Sequence, residues 1–304
     1  MRFMLTFGIL AGLVLSPTLA LNAADITGTG HRFFAADYDK HVMAIVGADG
    51  KVEWKREMKG GCHDAWMQAD GKILWTPSGD KIFEVDPKTD TETLIYDSHK
   101  HGEQKGDVQI HAFQPHKDGT ITVFESGPHR AIEIDRSGKI LKSVDLPMTG
   151  DAHHQTRNAR KLDNGNYLLA LSTDSKIAEV DPKGKIVWEY KTAGECYSAI
   201  RLPNGNTLVG GGFSHRAFEV DKAGKEVWTL TAADLPGIKL GYVAQVQRLS
   251  NGNTIIINCH AGPKNPQFIE VTPAKKIVWS YFDAETFGNS LPVGFILDDA
   301  GLIR

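Results

Sequence analysis

The chain has 304 residues, enough for one large domain or two ordinary ones, and its 41% apolar and 23% charged residues are the balance of a soluble globular protein. A formal charge of −3 is small, so bulk electrostatics give no sign of a nucleic-acid or other polyanion partner, and none is expected. Three cysteines, Cys62, Cys196 and Cys259, are too few and odd in number for a disulfide framework, so they read as small buried hydrophobes with at most one bridge.

The first two dozen residues differ from the rest. Arg2 supplies a positive charge, Phe3 to Leu15 is a nearly unbroken apolar run, Pro17 ends it, and Ala20, Ala23 and Ala24 follow. This is the pattern of a secretory signal, too short to span a bilayer and with no stop-transfer run after it. The expectation is a signal peptide over residues 1–23 and an exported protein, periplasmic or secreted, with no membrane span. Residues 24–304 would then form one domain.

After the leader, Arg32 to Ala36, His41 to Val46 and Lys51 to Trp54 read as three short strands. From there the chain repeats. The glycines of successive Asp/Asn-Gly turns, Gly71, Gly119, Gly165, Gly205, Gly252 and, more loosely, Gly301, recur at intervals of 40 to 49 residues. Asn-Gly favours a tight hairpin because both residues tolerate positive φ. A third strand alternates in each unit: Ile82 to Asp86, Ala131 to Asp135, Ile177 to Asp181, Ala217 to Asp221, Phe268 to Thr272. A second turn leads to a fourth strand, ending in tryptophan at Trp54, Trp188, Trp228 and Trp279, a side chain suited to the wedge between neighbouring units.

A period in the forties, made of strands and turns, is the signature of a propeller blade. The chain opens on strands two to four of a blade and closes on a lone first strand, Pro292 to Asp299. The predicted fold is therefore all-β: a six-bladed β-propeller of four-stranded antiparallel blades, closed by pairing of the N- and C-terminal segments. Closure removes the sheet edges that would invite aggregation.

This topology sorts the histidines. Both glycine turns lie on one face, and the start of each innermost strand lies on the other. Eight residues before the turn glycines stand His63, His111, Arg157, Tyr197, Ala244 and Val293, with His153 and His154 just upstream of Arg157. The ends of the second strands add His41, His129-Arg130, His215-Arg216 and His260 to the same face, and the loop into the third blade adds His99 and His101. Of the twelve histidines, His31 and His116 alone fall elsewhere.

Such a cluster supports three chemistries. Neutral imidazoles ligate transition metals, although no His-x-His on a strand or His-x-x-x-His on a helix is present, so different blades would have to supply the ligands. Arginine beside histidine suits an oxyanion, and a histidine there can act as nucleophile or general base. The scarcity of acids, with Asp64 and Asp151 the nearest, argues against calcium.

Two family resemblances bear on the choice. Glu219-Val-Asp-Lys-Ala-Gly-Lys-Glu-Val-Trp228 resembles the repeat of PQQ-like quinoprotein propellers. The enzymes of that group have eight blades and an adjacent cysteine pair, so the likeness concerns architecture. Leu202-Pro-Asn-Gly-Asn206, Gly61-Cys-His-Asp-Ala65 and Asp151-Ala-His-His154 resemble segments of bacterial arylsulfotransferase-like propellers. That resemblance implies a sulfuryl-accepting histidine at His63 and a second active-site histidine at His154. Gln155-Thr-Arg157 replaces the family's Asn-Ser, and Ala170 to Asp174 lacks its arginine.

Three readings follow. One is an arylsulfotransferase-like transferase, with His63 as nucleophile and His111, His154 and Arg157 around the sulfuryl oxygens. The second is a non-catalytic propeller that binds a small anionic or aromatic ligand, or a protein, through His129, Arg130, Tyr197, His215, Arg216 and His260. The third is a metal-dependent lyase or hydrolase with histidine ligands from several blades. The sequence assigns no cofactor or metal, and leaves PQQ and a transition metal open.

Overall fold

The computed structural model describes residues 25–77 and 79–304, so the expected leader lies outside the described residues. Their strands form six antiparallel sheets arranged as the blades of a propeller. Blades two to five are four-stranded meanders in chain order, beginning at Cys62, Gln109, Ala159 and Ser198. The closing blade takes its innermost strand, Val293–Ile296, from the end of the chain and the other three, from Phe33–Asp37 outward, from its beginning. Phe33 pairs with Ile296 and Ala36 with Val293, which joins the ring as the repeat requires.

One strand carries no signal in the repeat. Asp25–Gly28 pairs with the outer strand of the sixth blade, Ile277–Phe282, making that sheet five-stranded. The chain thus crosses from one blade to the next before entering the ring.

Burial follows radius. Second strands such as Phe33–Asp37, Tyr167–Leu171 and Thr254–Cys259 are buried on both faces, because each blade packs against two neighbours. Outer strands such as Val52–Glu57 and Ile186–Lys191 alternate and keep one side in solvent. Ring pairs cross the seams, as where Phe124 meets Tyr167 edge-on at 5.9 Å. Each such buried ring contributes about 1.5–3 kcal/mol. Of the repeated tryptophans only Trp279 is fully buried. Trp188 and Trp228 are half-buried and donate from Nε1 to the turn carbonyls of the next blade, Lys222 and Pro273, both at 3.0 Å.

The repeated Glu-Val-Asp triplet is a joint. Its glutamate meets a cation from the next blade: Glu133 with Lys161 at 2.8 Å, Glu179 with Arg201 at 2.7 Å, Glu219 with Arg248 at 2.8 Å, and Glu270 with His31 at 2.9 Å. The second asparagine of Asn-Gly-Asn donates to the same glutamates from Asn166, Asn206 and Asn253. The aspartate accepts two backbone N–H groups of its turn, as Asp181 and Asp221 each do at 2.9 Å. These motifs therefore fix blade register on the face opposite the histidines.

All three cysteines are free and buried. Burial pushes their thiols up, that of Cys196 to about 12, so they are unreactive hydrophobes. No helix among the described residues is long and apolar enough to cross a membrane.

Candidate functional site

The innermost strands of blades two and three both carry a register shift near their start. The pairing jumps from Cys62↔Pro77 to Asp64↔Thr76, and from Ile110↔Glu125 to Ala112↔Phe124. The extra residues are His63 and His111. A bulge lifts one residue out of the ladder and re-aims its side chain, and here it turns both imidazoles toward each other, with ring centroids 4.1 Å apart.

A third ring comes from the loop into blade four. Asp151 accepts from the backbone N–H of His153 at 3.0 Å, and its carbonyl accepts from those of His154 and Gln155. This tight turn sends His153 inward, to 5.3 Å from His111 and 6.1 Å from His63 between centroids. One nitrogen from each of His63, His111 and His153 lies within 4.8 Å of the other two. Ligands on one zinc-like ion sit roughly 3.4 Å apart, given bonds of about 2.0–2.1 Å. The exposed, loop-borne His153 is the ring placed to close that difference.

Most of the ring nitrogens already have partners. His111 donates from Nδ1 to the Thr156 carbonyl at 2.8 Å, so its Nε2 presents a lone pair. Tyr38 Oη lies 2.6 Å from His63 Nε2, while His63 Nδ1 is buried with no hydrogen-bond partner among the described residues. The Tyr38 ring reaches this position because residue 61 is glycine: a Cβ there would lie 1.1 Å from the ring. Gln109 Oε1 accepts from His153 Nδ1 at 2.8 Å, and Arg157 Nη1 donates to His153 Nε2 at 3.0 Å.

This network does not close on itself. Gln109 Oε1 is also 3.0 Å from His111 Nε2, lone pair against lone pair. Turning the amide would satisfy His111 but oblige His153 to carry its proton on Nε2, against the Arg157 donor. A cation facing His111 Nε2 and His63 Nδ1 removes the mismatch. Carbonyl, amide and phenol partners on the far nitrogens are what metal-bound imidazoles require.

Electrostatics point the same way. Burial, then neighbouring positive charge, holds His63 well below the usual histidine range. Burial and then Arg157 bring His111 down to about 3, and the same two causes lower His153. The rings are thus neutral near pH 7; His63 Nδ1 and His111 Nε2 carry lone pairs that could face a metal, whereas His153 offers Nε2 only once Arg157 releases it. Beside them Arg157 is 3.7 Å from Glu195, whose carboxylate accepts from Tyr242 Oη at 3.0 Å and Ser172 Oγ at 3.1 Å.

A pH dependence follows. Below pH 6.5 the unfolded chain protonates its histidines, whereas folded His63 and His111 stay neutral. The unfolded state then binds more protons, so stability falls as pH falls, by about 1.4 kcal/mol per pH unit for each ring. The window opens at 6.5 and for His111 runs to about 3. His31, whose pKa is raised by Glu270 and Asp298 against burial, works in the opposite direction. The measurement is therefore a difference: metal-free His111→Gln protein should lose less stability between pH 7 and 5 than wild type, in urea unfolding. Equal losses would refute the assignment.

Of the residues expected from sequence, His63, His111 and Arg157 come together. His154 stands at their edge: its ring packs 4.9 Å from that of His153, but its Nδ1 is held by Asp151 at 3.0 Å and its side chain is 51% exposed. Tyr197 is buried beside Tyr242, 5.5 Å between rings, with its hydroxyl unpartnered among the described residues. The histidines at the second-strand ends lie apart from this cluster and make contacts with neighbouring loops. His41, His129, His215 and His260 take φ between 49° and 58°, and this left-handed turn aims their rings at the neighbouring blade. His215 donates to the Gly241 carbonyl at 2.6 Å, His41 to that of Gly60 at 3.2 Å, His129 accepts from Gln155 at 2.7 Å, and His260 lies 3.4 Å from Ser290 Oγ. Arg130 and Arg216 are spent on Glu125 and Glu226, at 2.5 and 2.8 Å.

Sequence reasoning misses the part played by His153 and does not find Tyr38, Gln109 or Glu195. The doubled histidine is the signal for His153. The other three sit in different blades and loops with no motif around them.

Residues 38–261 match the family described as Mal s 1 allergenic protein-like, and the chain belongs to that family. Neither the arylsulfotransferase-like nor the PQQ-like group is what the match names. A search of curated proteins finds no match. Among solved structures, a protein of unknown function from Bacteroides caccae is 22% identical with a TM-score of 0.76, over 89% of this chain and 100% of that one. A streptogramin B lyase is 12% identical, TM-score 0.60, over 86% and 87%. Virginiamycin B lyase from Staphylococcus aureus is 11% identical, TM-score 0.57, over 84% and 88%. At these identities the likeness shows the propeller fold and nothing finer.

Proposed function

We propose that this Mal s 1-like propeller is an exported, metal-dependent enzyme of lyase or hydrolase type. Its ion, a divalent transition metal such as zinc, would be held by His63, His111 and His153. The observation that carries the reading is the set of three neutral imidazoles with nitrogens within 4.8 Å of one another. An all-imidazole set suits zinc, copper, iron or nickel and disfavours calcium or magnesium. A bound ion of this kind polarises a substrate oxygen or activates a water. Arg157, released from His153 Nε2 by the ion, would steady negative charge on the substrate, and Glu195, 3.7 Å from Arg157, would be the carboxylate to take a proton. The lyases among the structural neighbours agree with this reading, at the level of fold analogy alone.

Sulfuryl transfer through His63 is the weaker reading. It needs a histidine nitrogen open to the channel mouth, and His63 is 6% exposed with Nε2 engaged by Tyr38.

Elemental analysis of protein purified without a histidine tag, followed by zinc titration of the stripped protein, tests the proposal. We expect one tightly bound equivalent, and turnover across a panel of esters and lactones that a chelator removes. Failure to bind zinc, cobalt or nickel stoichiometrically would end it.

A further inference from the structure

The face opposite the histidines holds a groove of about 780 Å³, in the range of small-molecule sites. It runs between blades four and five, from Arg160 and Arg304 at the channel to Trp188 and Lys222 farther out.

Two of its cations make no ion pair among the described residues. Lys161 is matched by Glu133 and Arg201 by Glu179. Asp64 receives Arg160, Nη1 to Oδ2 at 2.8 Å, and its charge also acts on the Arg304 guanidinium. Arg304 is sandwiched between Trp66 and Phe295, 3.8 Å from each ring, and donates to the Ala65 carbonyl. Among the described residues no carboxylate lies within 4.0 Å of Arg304 or of the Lys222 ammonium. Asp64 therefore acts on two guanidiniums, and the unpaired side-chain acid of the lining, Asp163, is exposed at a turn. Arg160, itself 6% exposed, also keeps its Nε buried without a hydrogen-bond partner among the described residues. The groove thus holds a buried guanidinium donor without a hydrogen-bond partner and, at Lys222, an ammonium without an ion pair among the described residues.

We infer that this groove binds a small oxyanion-bearing ligand, a carboxylate or a phosphate, through Arg160, Arg304 and Lys222. Guanidinium forks match both anions, and an ammonium adds a mobile point charge. The site is independent of the histidine cluster and stands whether or not that cluster binds metal.

Calorimetric titration of the metal-free full chain with inorganic phosphate and with citrate, at low salt, is the test. At least one probe should bind, and the stronger one names the group recognised. Lys222→Gln, a change at an exposed position that leaves folding intact, should weaken that binding about tenfold. Arg157→Gln should leave it unchanged. The inference falls if neither probe binds at about 20 mM. It also falls if Lys222→Gln binds as wild type does, or if Arg157→Gln removes the signal, which would move the anion to the other mouth.

Discussion

His111→Ala protein is expected to keep its propeller and lose its metal, with affinity for zinc down more than about a hundredfold. The buried ring supplies one of three ligands, and nothing else on its bulge can replace it. Removing it also strips the Thr156 carbonyl of its donor, a loss of about 1–3 kcal/mol. That is survivable within a total of about 5–15 kcal/mol. Two companions make the result specific. Tyr38→Phe should cost about ten- to a hundredfold in affinity, because the phenol positions His63 without touching the ion. His154→Ala should leave affinity unchanged, since that ring is turned to Asp151. Circular dichroism and competitive zinc titration give the answer. Stoichiometric metal in the His111 variant, or equal losses at His111 and His154, would contradict the site.

Asp64→Ala should be the most destabilising single change in the channel, by about 3–5 kcal/mol. Asp64 is fully buried; it holds Arg160 at 2.8 Å, accepts from Phe113 N at 3.3 Å and from Ala65 N at 3.1 Å. It thereby ties the innermost strands of blades two, three and four. Without it the buried Arg160 guanidinium is left in the channel without its ion pair, and two backbone donors lose their acceptor. Guanidinium unfolding should show a lower midpoint at unchanged slope. A double variant, Asp64→Leu with Arg160→Met, should recover much of the loss, because burying an uncompensated charge costs more than replacing the pair. A loss below about 1 kcal/mol for Asp64→Ala would mean that water already reaches the pair.

Part of the candidate site is legible in the sequence. His63, His111 and Arg157 stand out because the turn glycines set a period, and equal offsets from equal turns place residues at equal heights on neighbouring blades. The choice between His153 and His154 is not legible there. They are adjacent in one turn, and the Asp151 cap decides which ring points inward. His215 and His260 look like the cluster residues in sequence, yet their positive φ turns them sideways into the scaffold. Tyr38 and Glu195 carry no local signature, since they meet the cluster only once separate blades are packed.

The sequence alone determined the repeat, the six blades, the closure of the ring by its two ends, and the face on which the histidines lie. Those follow from local chemistry: turn residues, strand alternation and chain length. Only the tertiary structure decided how the histidines are arranged. A one-residue bulge re-aims a side chain at little energetic cost, and nearly identical strand sequences can carry it or lack it. The same holds for the extra strand Asp25–Gly28 and for the sharing of Asp64 between Arg160 and Arg304. Each is a balance struck between segments far apart in the chain, and no stretch of sequence contains both sides of it.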